Sequence, residues 1–236
     1  EITPYAAKPE WKPLVERALE ILSPEELKTA LRSTQYAHYT SEAVVRSIYS
    51  GLERLGFAGG KVLDPGSGIS LFAGLMPDAM AQGASYTGVE MDKLSASIAK
   101  LLYPRQHIIN GDFSQVKLPK DYFDLAVGNP PFAAVKITDD PEYKSQRFAL
   151  HDYFFAKSID RVRPGGLMAF VTSRYTLDKQ GDKARQYLAD RADLLGAIRL
   201  PQTAFQQNAG TEVVTDVLFL QKRQPGAPAG GASWLK

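Results

Sequence analysis

Apolar positions along the chain follow two rhythms. Short unbroken runs at 61–64, 85–89, 106–110, 122–127, 167–171, 195–200 and 213–221 predict strands. Between them, at 70–82, 93–102, 151–162 and 182–191, the pattern predicts helices. In the third of these, Phe154, Phe155, Ile159 and Val162 form the inner face. Ahead of the first strand, Val44, Val45, Ile48, Leu52 and Leu55 mark another helix, with Thr40 or Ser41 as its N-cap. Earlier still, Val15, Leu19 and Leu22 lie in a helix-like run before Ser23-Pro24-Glu25-Glu26. That tetrapeptide combines an N-cap serine, a first-turn proline and a capping-box glutamate, and it starts a short helix ending near Leu31 or Arg32. The stretch 133–147 has neither rhythm and is expected to be a loop facing a substrate. The pattern organises the chain as a helical extension over 1–33, a main domain over 34–222 and a flexible tail rich in Pro, Gly and Ala over 223–236.

Composition narrows the field. A chain of 236 residues with 44% hydrophobic content can bury one substantial α/β core beside the extension. The formal net charge is only +2, so a surface for nucleic acid would have to be a local patch. With no cysteine, disulfides, thiolate metal sites and a cysteine nucleophile are excluded. Three histidines far apart in sequence give no basis for a metal site, and none is expected. No apolar run is long enough to cross a bilayer, so a cytoplasmic protein without membrane contact is expected. The first residue is Glu1 and not methionine, as an excised or processed piece would show.

Candidate chemistry gathers where strands end. The run 122–127 is closed by Gly128 and followed by Asn129-Pro130-Pro131-Phe132. The two prolines forbid further ladder pairing and stiffen the turn, so the Asn129 amide and the prolyl carbonyls are held rigid beside an aromatic plate. Fixed acceptors beside an aromatic suit a flat nitrogen base with an exocyclic amine. The run 61–64 ends in Asp64-Pro65-Gly66-Ser67-Gly68, whose two glycines let backbone approach a ligand. That spacing alone would also suit a nicotinamide dinucleotide. However, Leu71 stands where the third glycine should fall, and an acid at the strand end would repel a pyrophosphate. The next two strands end in Glu90-Met91-Asp92 and Gly111-Asp112-Phe113, so three successive strands each deliver an acid. Asp92 is expected to cap the helix at 93–102, and His151 to be a helix-start residue.

Asn129-Pro130-Pro131-Phe132 resembles the catalytic motif of amino-methyltransferases that use S-adenosylmethionine. Together with the Asp64–Gly68 turn before it and the Phe205 region after it, the order of motifs is similar to that of the gamma-ordered adenine-N6 DNA methyltransferases over about residues 36–221. The resemblance implies a Rossmann-like class I methyltransferase fold: a seven-stranded, mostly parallel sheet with an antiparallel last strand. It also implies S-adenosylmethionine as methyl donor, S-adenosylhomocysteine as product, and no metal. In that frame Asp64 accepts the cofactor's ammonium group beside Gly66 and Gly68, and Glu90 takes the ribose hydroxyls. Met91 packs on the cofactor's adenine, and Asp112 accepts from its amine with Phe113 beside the ring. Tyr39 and Thr40 touch the methionine end, with Ser41 where many members carry proline. Asn129, which also counts among the cofactor-binding residues, and Pro130 would accept the hydrogens of the target amine, Pro131 would hold the turn, and Phe132 would stack on the target base. Phe205 would flank that base, and it reads equally well as a loop anchor tucked into the core.

The expected partner is double-stranded DNA with a flipped adenine, read by a recognition domain or partner protein outside this chain. Three other readings stand beside it. One is adenine methylation of RNA. Another is methylation of a protein glutamine amide, the activity of a related family with Asn-Pro-Pro-Tyr. The last is a non-catalytic cofactor-binding scaffold within a DNA-processing protein. Target sequence, oligomeric state, and a role in restriction, antirestriction or regulation are not written in these residues.

Overall fold

The computed structural model describes residues 9, 12–36, 40–133, 135–179, 181, 183–201, 214–228 and 233–235. The chain divides into two compact units, Glu1–Ala37 and His38–Lys236. The first carries α1 (Lys12–Ile21) and α2 (Pro24–Tyr36). The capping box forms as expected: Ser23 Oγ accepts from the Glu26 amide at 3.3 Å, and the Glu26 carboxylate accepts from the Ser23 amide at 2.8 Å.

The second unit opens with α3 (Glu42–Arg54), capped by Ser41, whose side chain accepts from the Val44 amide. Seven strands follow: β1 (Gly60–Pro65), β2 (Ala84–Glu90), β3 (His107–Asn110), β4 (Phe123–Gly128), β5 (Val162–Ser173), β6 (Ala192–Arg199) and β7 (Thr215–Lys222). They form one sheet in the order β3-β2-β1-β4-β5-β7-β6. Strands β1 to β5 pair in parallel, and β7 runs antiparallel to both of its neighbours.

The unbroken apolar runs arise because successive residues of a strand point to opposite faces, and here both faces are covered. Val62, Leu125, Val127, Ala169, Val171, Val217 and Phe219 enter one core with Val45, Ile48, Tyr49 and Leu52 of α3. Their neighbours Leu63, Ala126, Met168, Phe170, Leu218 and Leu220 enter the other, with Phe154, Phe155 and Ile159 from Leu150–Arg161. β1 and β4 are adjacent at the centre, and from them the chain order runs outward in opposite directions. The crevice outside their carboxyl ends is therefore the topological switch point, where open α/β sheets take ligands.

Several elements differ from the sequence pattern. The helix expected over 70–82 is two single turns, α4 (Leu71–Gly74) and α5 (Asp78–Ala81). Pro77 occupies the N-cap of the second, and a proline with no amide hydrogen and a clashing ring stops a continuous helix there. Further on, α6 (Lys93–Leu102) keeps its expected length, with Asp92 accepting from the Ser95 amide at 2.7 Å. The loop after Phe132 does not stand free in solvent. Asp140, Tyr143 and Phe148 are buried, Lys136 bridges to Ala149, and a 3-10 turn forms at Lys144–Gln146 ahead of α7 (Leu150–Arg161). β5 starts earlier than its apolar run because Arg163-Pro164-Gly165-Gly166 bulges out of a strand that resumes pairing at Leu167. After α8 (Tyr175–Asp178) and α9 (Lys183–Ala189), the tail returns to the body, with Trp234 packed against the second core. No described helix is long and apolar enough to cross a membrane.

Candidate active site

Parallel pairing places the strand-end acids along one edge. Asp64 pairs with Gly88, and Glu90 pairs with Asn110, two residues before Asp112. Asp64 is almost completely buried at the end of β1. Tyr86 of β2 donates its hydroxyl to Oδ2 of this carboxyl group. Its Oδ1 has no hydrogen-bond partner among the described residues. Space for that oxygen comes from Gly128, where a Cβ would lie 2.5 Å from it. Burial pushes the Asp64 carboxyl up to about 8, and the nearby Glu90 charge adds to the shift against the Tyr86 hydrogen bond.

The turn after β1 is stitched to the end of β2. The Gly66 and Ser67 amides donate to the Val89 carbonyl at 2.8 and 3.0 Å, and the Gly68 amide donates to Glu90 Oε2 at 2.7 Å. Gly66 has φ +73°, and a Cβ there would sit 3.5 Å from Pro131 and 3.6 Å from Phe154. The glycine turn and the Asn-Pro-Pro-Phe segment are thus in direct proximity. The other Glu90 oxygen, Oε1, accepts from the Asp92 amide at 2.7 Å. Each carboxylate oxygen keeps a second lone pair for a hydroxyl. Burial, the largest influence, raises the Glu90 carboxyl despite these amides. Met91 beside it is 71% exposed, an apolar side chain held in solvent at the lip of the crevice. Asn110 ties this edge together by donating to the Glu90 and Met91 carbonyls at 2.9 and 3.1 Å.

At the end of β3, Asp112 is exposed and its Oδ1 accepts from the Ser114 amide at 2.7 Å. Phe113 follows it in the chain. Its ring is buried in the second core, 4.8 Å from Phe154 and 6.0 Å from Tyr153 between centroids. The aromatic residues of α7, forty positions along the chain, draw it inward. At the end of β4, Pro130 is buried while Asn129, Pro131 and Phe132 are half-buried, and Phe132 leans on the first core. Thr40 is buried just before α3. Tyr39 and Phe205 lie outside the described residues. Sequence reasoning gives Tyr86 and Asn110 no role at the site and reads Gly128 only as the close of a strand. Tyr86 reads as one more apolar strand residue, and only the register puts its hydroxyl against Asp64.

These residues fit S-adenosylmethionine on the structure's own terms. A buried carboxylate oxygen without a partner suits an ammonium group, lone pairs on Glu90 suit ribose hydroxyls, and backbone bare of Cβ at Gly66 and Gly68 permits close approach. Among the described residues no group of three acids or histidines is arranged to hold a metal.

Residues 84–205 match the model of the Eco57I restriction-modification methylase family. Over 190 residues the chain is 30% identical to the Defense against restriction protein B of Escherichia phage P1, covering 78% of this chain and 8% of that protein. The chain therefore spans about 8% of the length of this curated relative. A candidate class I S-adenosylmethionine-dependent methyltransferase from Listeria monocytogenes superimposes with a TM-score of 0.69 at 17% identity, covering 81% of this chain and 62% of that one. The methyltransferase subunit of a type I restriction-modification system from Streptococcus thermophilus gives 0.66 at 20% identity, covering 81% and 46%.

Sheet order, switch-point crevice and structural neighbours define the class I S-adenosylmethionine-dependent methyltransferase fold. Within that class the chain belongs to the Eco57I restriction-modification methylase family.

Proposed function

We propose that the chain transfers a methyl group from S-adenosylmethionine to the exocyclic N6 amine of adenine in DNA, as the catalytic domain of a larger protein. The observation that carries this reading is the rigid Asn129–Phe132 segment beside the glycine turn, where Pro131 borders Gly66. Asp64 would hold the cofactor's ammonium group, Glu90 its ribose, and Met91 and Asp112 its adenine, with Thr40 and the undescribed Tyr39 at the methionine end. When bound, S-adenosylmethionine supplies a methyl group already activated on a sulfonium.

The chain's own residues do the rest. An exocyclic adenine amine is a poor nucleophile because its lone pair is delocalised into the ring. The Asn129 side-chain oxygen and the Pro130 carbonyl each accept one amine hydrogen, which localises the lone pair toward the methyl and stabilises the charge that develops on nitrogen. Pro131 keeps these acceptors from moving, so much of the rate comes from in-line positioning. Phe132 stacks on the target base, which in a duplex has to be flipped out at a cost of a few kcal/mol. Phe205 would close the other side.

The test is transfer of labelled methyl from S-adenosylmethionine to unmethylated DNA and to RNA, beside the Asn129→Ala variant. Label recovered as N6-methyladenine in DNA and lost in the variant supports the reading. Label entering RNA alone, or surviving Asn129→Ala, contradicts it.

A further inference from the structure

Lys157 of α7 is 2% exposed, an unusual place for an ammonium group. It donates to the Phe113 carbonyl at 2.6 Å and to Asp140 Oδ2 at 2.9 Å, and its Nζ lies 4.9 Å from the Phe113 ring centroid. Asp140, also buried, receives the Tyr153 hydroxyl at 2.7 Å on the same oxygen, and its Oδ1 accepts from the Glu142 amide at 3.0 Å. One buried cation thus clamps two separate segments. The first is the corner after β3, next to Asp112. The second is the loop that follows Asn129–Phe132. The mechanism uses neither Lys157 nor Asp140.

A buried ion pair is weak evidence for stability, since apolar residues of similar volume often serve as well. This one has a further consequence. Phe113 is the residue after Asp112, and its carbonyl is fixed by Lys157 while its ring is fixed by α7. The Phe113 carbonyl shares a peptide unit with the Ser114 amide, which donates to Asp112 Oδ1 at 2.7 Å, so Lys157 holds the unit that orients the Asp112 carboxylate. We infer that Lys157, backed by Asp140, is a positioning residue that aims the Asp112 carboxylate at the exocyclic amine of the cofactor's adenine. The inference rests on the proposed role of Asp112.

The test compares binding of S-adenosylhomocysteine with that of S-inosylhomocysteine, in which a carbonyl oxygen replaces the adenine amine. Titration calorimetry on the full chain would cover wild type, Asp112→Ala, Lys157→Met and the double variant Lys157→Met/Asp140→Asn. The double variant removes both buried charges, so a folding defect from an unpaired Asp140 does not decide the outcome. The expected result is an approximately tenfold loss for S-adenosylhomocysteine in both Lys157 variants, with S-inosylhomocysteine changed less than about twofold, because an aligned hydrogen bond to the amine is lost. Equal losses for both ligands would mark Lys157 as merely structural and overturn the inference. So would preserved discrimination in the Lys157 variants while Asp112→Ala abolishes it. If Asp112→Ala itself leaves discrimination intact, the role of Asp112 fails and the inference falls with it.

Discussion

The two ends of the central β1–β4 pair carry the same residue arrangement with opposite charge balance. At the amino edge Asp124 of β4 lies against Gly60 of β1, where a Cβ would come within 2.5 Å of its carboxylate. At the carboxyl edge Asp64 of β1 lies against Gly128 of β4 with the same 2.5 Å spacing. Asp124 accepts from the Lys61 amide at 2.7 Å and from Arg163 Nε at 2.6 Å. Burial opposes its charge, but those donors hold it below the usual carboxylate range. Asp64 receives only a neutral phenol, and burial drives it to about 8. Neighbours repeat the contrast. Glu142, near the amino edge, sits between Lys120 at 2.5 Å and Arg161 at 2.6 Å, and these cations lower it against the effect of burial. Glu90 at the carboxyl edge has only backbone amides and is raised by burial. Acids that hold the scaffold are neutralised within the chain. Those at the switch point, Asp64 and Glu90, have no cationic partner among the described residues, and burial raises both.

The sharpest break should come at the carboxyl edge. Asn129→Ala should lower the rate of methyl transfer by about 10²–10³-fold, the size expected when a preorganised group facing developing charge is lost. Cofactor affinity should change far less than the rate, which separate turnover and binding measurements would show. Asp64→Asn should weaken binding of S-adenosylhomocysteine by about 2 kcal/mol or more, because a charge-assisted contact is lost. The same substitution should change the pH dependence of stability. The folded carboxyl at about 8 lies above the unfolded value, roughly 3.9. Its contribution is therefore complete below about 4 and is lost as pH rises through 8. Denaturant titrations should show wild type losing stability across that window and Asp64→Asn losing less.

At the amino edge the sign reverses. Asp124 is lowered, so its contribution is present above the unfolded value and disappears as pH falls through the folded one. Asp124→Asn should cost on the order of 1 kcal/mol at neutral pH and little at acid pH, given partial solvent screening. Methyl transfer by the folded variant should be unaffected. The smallest effect is expected for Met91→Ala, a loss of cofactor affinity of about 1 kcal/mol or less from reduced apolar contact, read as a raised KM with unchanged kcat.

Most strands were legible because a run buried on both faces is apolar without a break, as Leu125-Ala126-Val127 illustrates. The caps at Ser23, Ser41 and Asp92 were legible because capping is chemistry between residues three apart. The acids were legible because each stands at a strand end, Asp64 and Glu90 in the last two positions of β1 and β2 and Asp112 two residues past β3. What escaped notice depends on partners distant in sequence. Phe113 was placed beside the cofactor's ring from its position after Asp112, but its contacts with Tyr153 and Phe154 of α7 come from forty positions away. Tyr143 and Phe148 are buried within a stretch that has no period, since a loop anchors residue by residue. The break at Pro77 is readable in the residue itself, although the apolar positions around it continue a helical pattern.

The most direct test of the contrast between the two edges is the proton balance of cofactor binding. Titration of S-adenosylhomocysteine into the protein at pH 7, in buffers of differing ionisation enthalpy, reads the protons exchanged. Asp64 is mainly protonated before binding, because its carboxyl titrates at about 8. Pairing with the ligand's ammonium group should therefore release most of one proton in wild type, with almost none released by Asp64→Asn. Binding without proton release in wild type, at an affinity that Asp64→Asn retains, would contradict the account.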